Sequence, residues 1–140
     1  MRALRFRKTS AAIAALLGFA AAPAWAVNHT VNVGDPNGLS FSPQTLNIAA
    51  GDTVTFTNGG GFHNVVSDPG AVTSFRCAVG CDGVGNGDGA ASTTLWSSTV
   101  AFPTPGTVGY HCEIHGGPGA AMFGTINVTI PVELQSFDVD

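Results

Sequence analysis

The sequence predicts an all-β domain, a two-sheet Greek-key β-sandwich with one long Gly-rich loop, and three observations predict it. Short β-branched and aromatic runs alternate with turn residues. No stretch long enough for a helix repeats its apolar residues at helical spacing. About seven such runs fall within roughly 100 residues, the density of a sandwich. In order, the strands are read as Thr30–Val33, Gln44–Ile48, Thr53–Asn58, His63–Ser67, Ser97–Phe102, Gly106–Cys112 and Gly124–Ile130. Ala50-Gly51-Asp52 turns the chain into the third, and Pro103-Thr104-Pro105-Gly106 separates the fifth from the sixth. Between Asp68 and Thr94 the composition changes, with Gly80, Gly83, Gly85, Gly87 and Gly89 close together, and the stretch reads as a single surface loop. Its Asp82, Asn86 and Asp88 do not make a calcium loop. A register begun at Asp82 puts Val84 at a ligand position and Thr93 where a bidentate Glu belongs.

Ahead of this domain, Arg2, Arg5, Arg7 and Lys8 precede an apolar run from Ala11 to Ala22 and the small residues of Ala24-Trp25-Ala26. Residues 1–26 read as a secretory signal peptide cleaved after Ala26. The apolar run is shorter than the roughly 20 residues that cross a bilayer. The domain is then 27–130, followed by a short C-terminal tail, 131–140, with neither an apolar run nor basic residues. The expected protein is exported, periplasmic or secreted, monomeric and without a membrane anchor. Four of the five basic residues leave with the leader, so Arg76 alone faces nine carboxylates, a net charge of −8 before histidines and termini. Such a surface repels phosphate backbones, which argues against nucleic acid and for protein partners with a basic docking patch.

Three cysteines cannot all pair within one exported chain. Cys77 and Cys81, four apart, are expected to form a disulfide that stiffens the glycine-rich loop, which leaves Cys112 in Tyr110-His111-Cys112-Glu113-Ile114-His115. A thiolate, an imidazole three residues on at His115, a thioether seven further on at Met122 and a second imidazole at His63 form a soft ligand set for copper or zinc. Two imidazoles and a thiolate in a plane with a weak axial thioether describe a blue-copper electron-transfer site. A zinc site of Cys77, Cys81, Cys112 and His115 is the competing arrangement, weakened by export and by an unused His63. A metal-free adhesion sandwich leaves Cys112 unexplained. Strand alternation sends the His111 side chain away from that of Cys112.

Phe41-Ser42-Pro43 with Leu46 and Ile48, Gly51-Asp52-Thr53-Val54-Thr55-Phe56 leading to His63-Asn64-Val65-Val66, Phe102, Pro105-Gly106-Thr107, the segment from Tyr110 to His115, and Met122-Phe123-Gly124-Thr125-Ile126 together carry a resemblance. Over nearly the whole chain after residue 26 the sequence resembles the small blue copper proteins, or cupredoxins, nearest the plastocyanin and amicyanin types. The resemblance implies a cupredoxin-like fold and one copper ion cycling between Cu(I) and Cu(II). It also implies bonds from Nδ1 of His63 and His115 and from the sulfur of Cys112, with Met122 axial. Asn64 would hydrogen-bond the cysteine sulfur through its backbone and tie the ligand segments together through its side chain. His115 and His111 would mark a possible electron path to redox protein partners.

One departure is the six residues Gly116 to Ala121 between His115 and Met122, longer than the family's spacing. Met122 is assigned because it stands two before Gly124, and the insert is expected to bulge outward. Phe62, Ile114, Pro118, Ala120, Ala121 and Phe123 flank the ligands and are expected to shield the metal. With four histidines and no His-x-His there is no second catalytic metal set, so the expectation is an electron carrier, not an enzyme. The alternative is a periplasmic copper carrier or buffer, disfavoured because copper(I) carriers prefer Met-rich or Cys-x-x-Cys sites.

Overall fold

In the computed structural model the structure describes residues 25–34 and 38–131. The leader up to residue 24 and the tail from 132 lie outside the described residues. Among the described residues there are ten strands: β1 Asn28–Val33, β2 Phe41–Ser42, β3 Thr45–Ala49, β4 Thr53–Asn58, β5 Val65–Ser67, β6 Arg76–Ala78, β7 Gly80–Cys81, β8 Ser97–Ala101, β9 Gly106–Gly117 and β10 Ala120–Thr129. They form a four-stranded sheet, β2-β1-β4-β8, facing a six-stranded sheet, β3-β10-β9-β5-β6-β7. Both are mixed, since β1 runs parallel to β4 and β3 parallel to β10. Among the described residues no helix is long and apolar enough to cross a membrane.

Alternation sets the core. β4 turns Val54, Phe56 and Asn58 inward, and β9 turns Val108, Tyr110 and Cys112 inward. Phe56 and Phe41 each meet Tyr110 edge to face, at 5.3 Å and 4.8 Å between centroids. Each such fully buried apolar side chain contributes about 1.5–3 kcal/mol through burial.

Two expectations change. The segment from Asp68 to Thr94 is not one loop, because β6 and β7 extend the larger sheet and Phe75, Cys77 and Ala78 enter the core. Short strands of two and three residues among glycines leave no run long enough to show alternation. The strand read as His63–Ser67 begins only at Val65, and His63 forms an isolated bridge with Ser92.

Candidate metal centre

The inner faces of two strands deliver the sulfur ligands. On β9 the inward series is Val108, Tyr110, Cys112, and on β10, read backwards, Val128, Ile126, Gly124, Met122. Cys112 and Met122 are the last inward positions at one end of the sandwich, both fully buried. Beyond Cys112 the alternation stops, and His115 stands half-exposed near the end of β9.

The backbone of His63 is held by Ser92 and Trp96. Its N–H donates to Ser92 O at 3.2 Å, its carbonyl accepts from Ser92 N–H at 3.1 Å, and Trp96 Nε1–H donates to the same carbonyl at 3.2 Å. The ring needs glycine on two sides. A Cβ at Gly34 or Gly61 would stand 2.7 or 2.6 Å from His63 Nε2, and both glycines have positive φ, 84° and 90°.

The three donor atoms form a compact triangle. His63 Nδ1 is 3.1 Å from His115 Nδ1, and Cys112 Sγ lies 3.8 Å and 3.7 Å from them respectively. A first-row ion about 2.0 Å from each nitrogen and about 2.3 Å from sulfur spans such separations at angles near 100° and 120°, close to trigonal planar. Burial foremost, and then the electrostatic influence of the neighbouring His115, hold the His63 imidazole below its ordinary range, so it offers a lone pair. The residues therefore fit one copper ion.

The segment that carries Met122 differs from the expectation. The six-residue insert does not bulge outward but zips into the hairpin. Gly117 pairs with Ala120 and Gly116 with Ala121, so Pro118 and Gly119 alone make the turn, with Gly119 at φ 67°. The bulge falls instead at the ligand. Register shifts between Ala121 and Phe123, which pairs with His111, so Met122 alone faces Cys112 to His115. A Cβ at Gly116 would stand 2.5 Å from Met122 O and 2.8 Å from Met122 N, which shows how closely the strands pass there.

The buried side chain of Asn64 ties the two ligand segments together. Nδ2 donates to Glu113 Oε2 at 2.6 Å and to Gly89 O at 3.0 Å, and Oδ1 accepts from Glu113 N–H at 3.0 Å. Sequence reasoning missed what continues from there. Arg76 Nε donates to the same Glu113 oxygen and Nη1 to Asp82 Oδ2, both at 3.0 Å, and Gly89 N–H closes the ring on Asp82 Oδ1 at 2.8 Å. The one available signal was that Arg76 is the lone Arg or Lys after residue 8.

His111 points away from Cys112, with Nδ1 2.7 Å from Asp68 Oδ1 and its side chain 13% exposed. Of the apolar residues expected to cover the metal, Phe62 and Ile114 face solvent, at 44% and 51% exposure, while His63, Cys112 and Met122 are buried. Cys77 and Cys81 are joined in a disulfide and Cys112 is free, so the competing zinc set lacks two of its thiolates.

Residues 27–129 match the profile of the copper binding proteins of the plastocyanin/azurin family. The chain belongs to that family. It is 38% identical over 114 residues to the chloroplastic plastocyanin of Tetradesmus obliquus, covering 81% of this chain and 76% of that one. To the chloroplastic plastocyanin of Physcomitrium patens it is 38% identical over 97 residues, 69% of this chain but 54% of that longer one. Among solved structures, pseudoazurin from Methylobacterium extorquens shares the fold, with a TM-score of 0.50 at 22% identity over 76% of this chain and 78% of that one. In this family setting His63, Cys112, His115 and Met122 are the ligands of a type 1 copper site.

Proposed function

We propose that the chain is an exported blue copper electron carrier that passes single electrons between redox protein partners. The observation that carries this reading is the donor triangle of His63, Cys112 and His115, with His63 bridged to Ser92 and the other two on β9. Copper, when bound, supplies the Cu(I)/Cu(II) one-electron couple. The chain supplies a geometry that changes little between the two states, because His63 is bridged to Ser92 and the other ligands lie between the paired positions His111–Phe123 and Gly116–Ala121. His63, Cys112 and Met122 are closed to water, whereas His115 is half-exposed beside Ile114, which makes it the natural electron entry. His111 offers a second path one residue from the thiolate.

Export to the periplasm or medium is supported by the basic-apolar-small pattern of residues 1–26 and by the Cys77–Cys81 disulfide. The acidic surface favours a partner with a basic docking patch, and a free monomer suits an encounter carrier. Burial of the ligands favours keeping the ion over delivering it. The test is the visible spectrum of copper-loaded protein. An intense blue band on oxidation, lost on reduction and lost in Cys112→Ser, is expected. A serine variant that stayed intensely blue would overturn the assignment.

A further inference from the structure

At the end of β4 away from the ligands, Asp52 is 6% exposed and holds the start of the domain. Oδ1 accepts from Val27 N–H at 2.9 Å, and Oδ2 accepts from Ala49 N–H at 3.0 Å and lies 3.0 Å from His29 Nε2. Val27 is tied on its other side as well, its carbonyl accepting from Thr53 N–H at 2.9 Å. One residue earlier the chain leaves the fold: Ala26 is exposed and Trp25 is 88% exposed. The first residue engaged by the sandwich is thus the one that follows Ala24-Trp25-Ala26.

We propose that hydrolysis of the Ala26–Val27 bond creates the cation for which Asp52 is the seat, the α-ammonium of the new N-terminus. Water divides across the bond. Its hydroxyl goes to the Ala26 carbonyl carbon and its hydrogen to the Val27 nitrogen, which then takes a proton from solvent. The nitrogen already stands at hydrogen-bond distance from the carboxylate, so nothing need move. An amide donor becomes a charged one, and charge-assisted bonds are about twice as strong as neutral ones. A carboxylate this far buried calls for a countercharge. Among the described residues, His29 is the titratable side chain facing Asp52, and it is charged only when protonated. Arg76, the one Arg or Lys after residue 8, is bonded elsewhere, to Asp82 and Glu113. Processing also removes an exposed tryptophan. The inference rests on residues 1–26 being a cleaved leader and is independent of the copper chemistry.

The test has two parts. Copper-loaded protein exported with its own leader is weighed intact, and a start at Val27 is expected. A start at any other residue overturns the proposal. Chains beginning at Val27 and at Ala26, each released from a fusion by a site-specific protease, are then compared in denaturant across pH 6 to 10. The Val27 form is expected to be more stable by about tenfold in the unfolding constant. An ammonium stabilised by folding has its pKa raised, so the advantage is full below the ordinary α-amino range near 8 and lost as pH rises through the folded value. Asp52→Asn in both chains should erase the difference. Equal stability of the two chains, or a difference that survives Asp52→Asn, overturns the seat. The copper spectrum of the same samples reads the carrier function separately.

Discussion

Asn64 and Glu113, each the residue immediately after a copper ligand, bond each other twice. Asn64 Nδ2 donates to Glu113 Oε2 at 2.6 Å, and Glu113 N–H donates back to Asn64 Oδ1 at 3.0 Å. His63 and Cys112 are therefore linked through their neighbours as well as through the metal. Arg76 anchors the pair from the disulfide hairpin.

Asn64→Ala is expected to cost about 1–3 kcal/mol, because it removes the buried bond to Gly89 O and both bonds to Glu113. It should also shift the reduction potential and the blue band, since Glu113 N–H adjoins the thiolate. Arg76→Gln should cost about 1 kcal/mol or less, its side chain being 35% exposed. By charge it should still lower the potential, whereas Glu113→Gln should raise it. Voltammetry of the three variants checks this, and unchanged potentials would make the ring purely structural.

The disulfide gives a separate expectation. Loss of a ring this small in Cys77→Ala with Cys81→Ala removes about 2 kcal/mol by the chain-entropy relation. The blue band should survive, because neither sulfur is a ligand. Urea unfolding and the visible spectrum of the double variant test both halves.

How far the sequence showed these features depended on whether they are local. The series Val108, Tyr110, Cys112 announces its strand and its inward ligand by period-two alternation alone. The turn Gly51-Asp52 likewise fixes where β4 begins. The extended hairpin was hidden because Gly116, Gly117 and Gly119 read as loop, whereas cross-strand pairing with Ala120 and Ala121 makes strand of most of it. Arg76 to Glu113 spans 37 residues and Val27 to Asp52 spans 25, and no periodicity reports partners at such separations.

Acid should unfold the protein partly through Asp52. Burial opposes its ionisation, but bonds from Val27, His29 and Ala49 outweigh that and hold its carboxyl below the ordinary range. Its contribution is thus fully present above the unfolded value near 3.9 and lost as pH falls through the lower folded value. Asp52→Asn should lower stability at neutral pH and flatten the acid limb of the stability curve. An acid limb identical in both proteins would count against this.

Exchange with a cationic redox partner should slow as salt rises. The chain after residue 26 carries nine carboxylates against Arg76, which is itself paired with Asp82 and Glu113. Long-range steering is screened beyond about 10 Å at 0.1 M salt. Stopped-flow rates that stay flat with ionic strength would instead place docking on the apolar rim of Phe62 and Ile114.

Met122 is the last and most exposed to test, because the lengthened insert separates it from His115. It is the one methionine after residue 1, it is fully buried, and the bulge leaves it alone opposite Cys112 to His115. The pairing of Gly116 with Ala121 places the extra residues beyond the ligand, so the sulfur keeps its position however long the hairpin grows. Met122→Leu should retain the blue band, since the thiolate and imidazoles remain, but should raise the potential. Loss of a weak donor and a drier site both favour Cu(I). Met122→Gln should lower the potential by presenting a harder oxygen donor. Both variants are measured by voltammetry and by the visible spectrum. Two unchanged potentials would leave Met122 as core packing beneath a three-coordinate copper, and the bulge would then serve the turn rather than the metal.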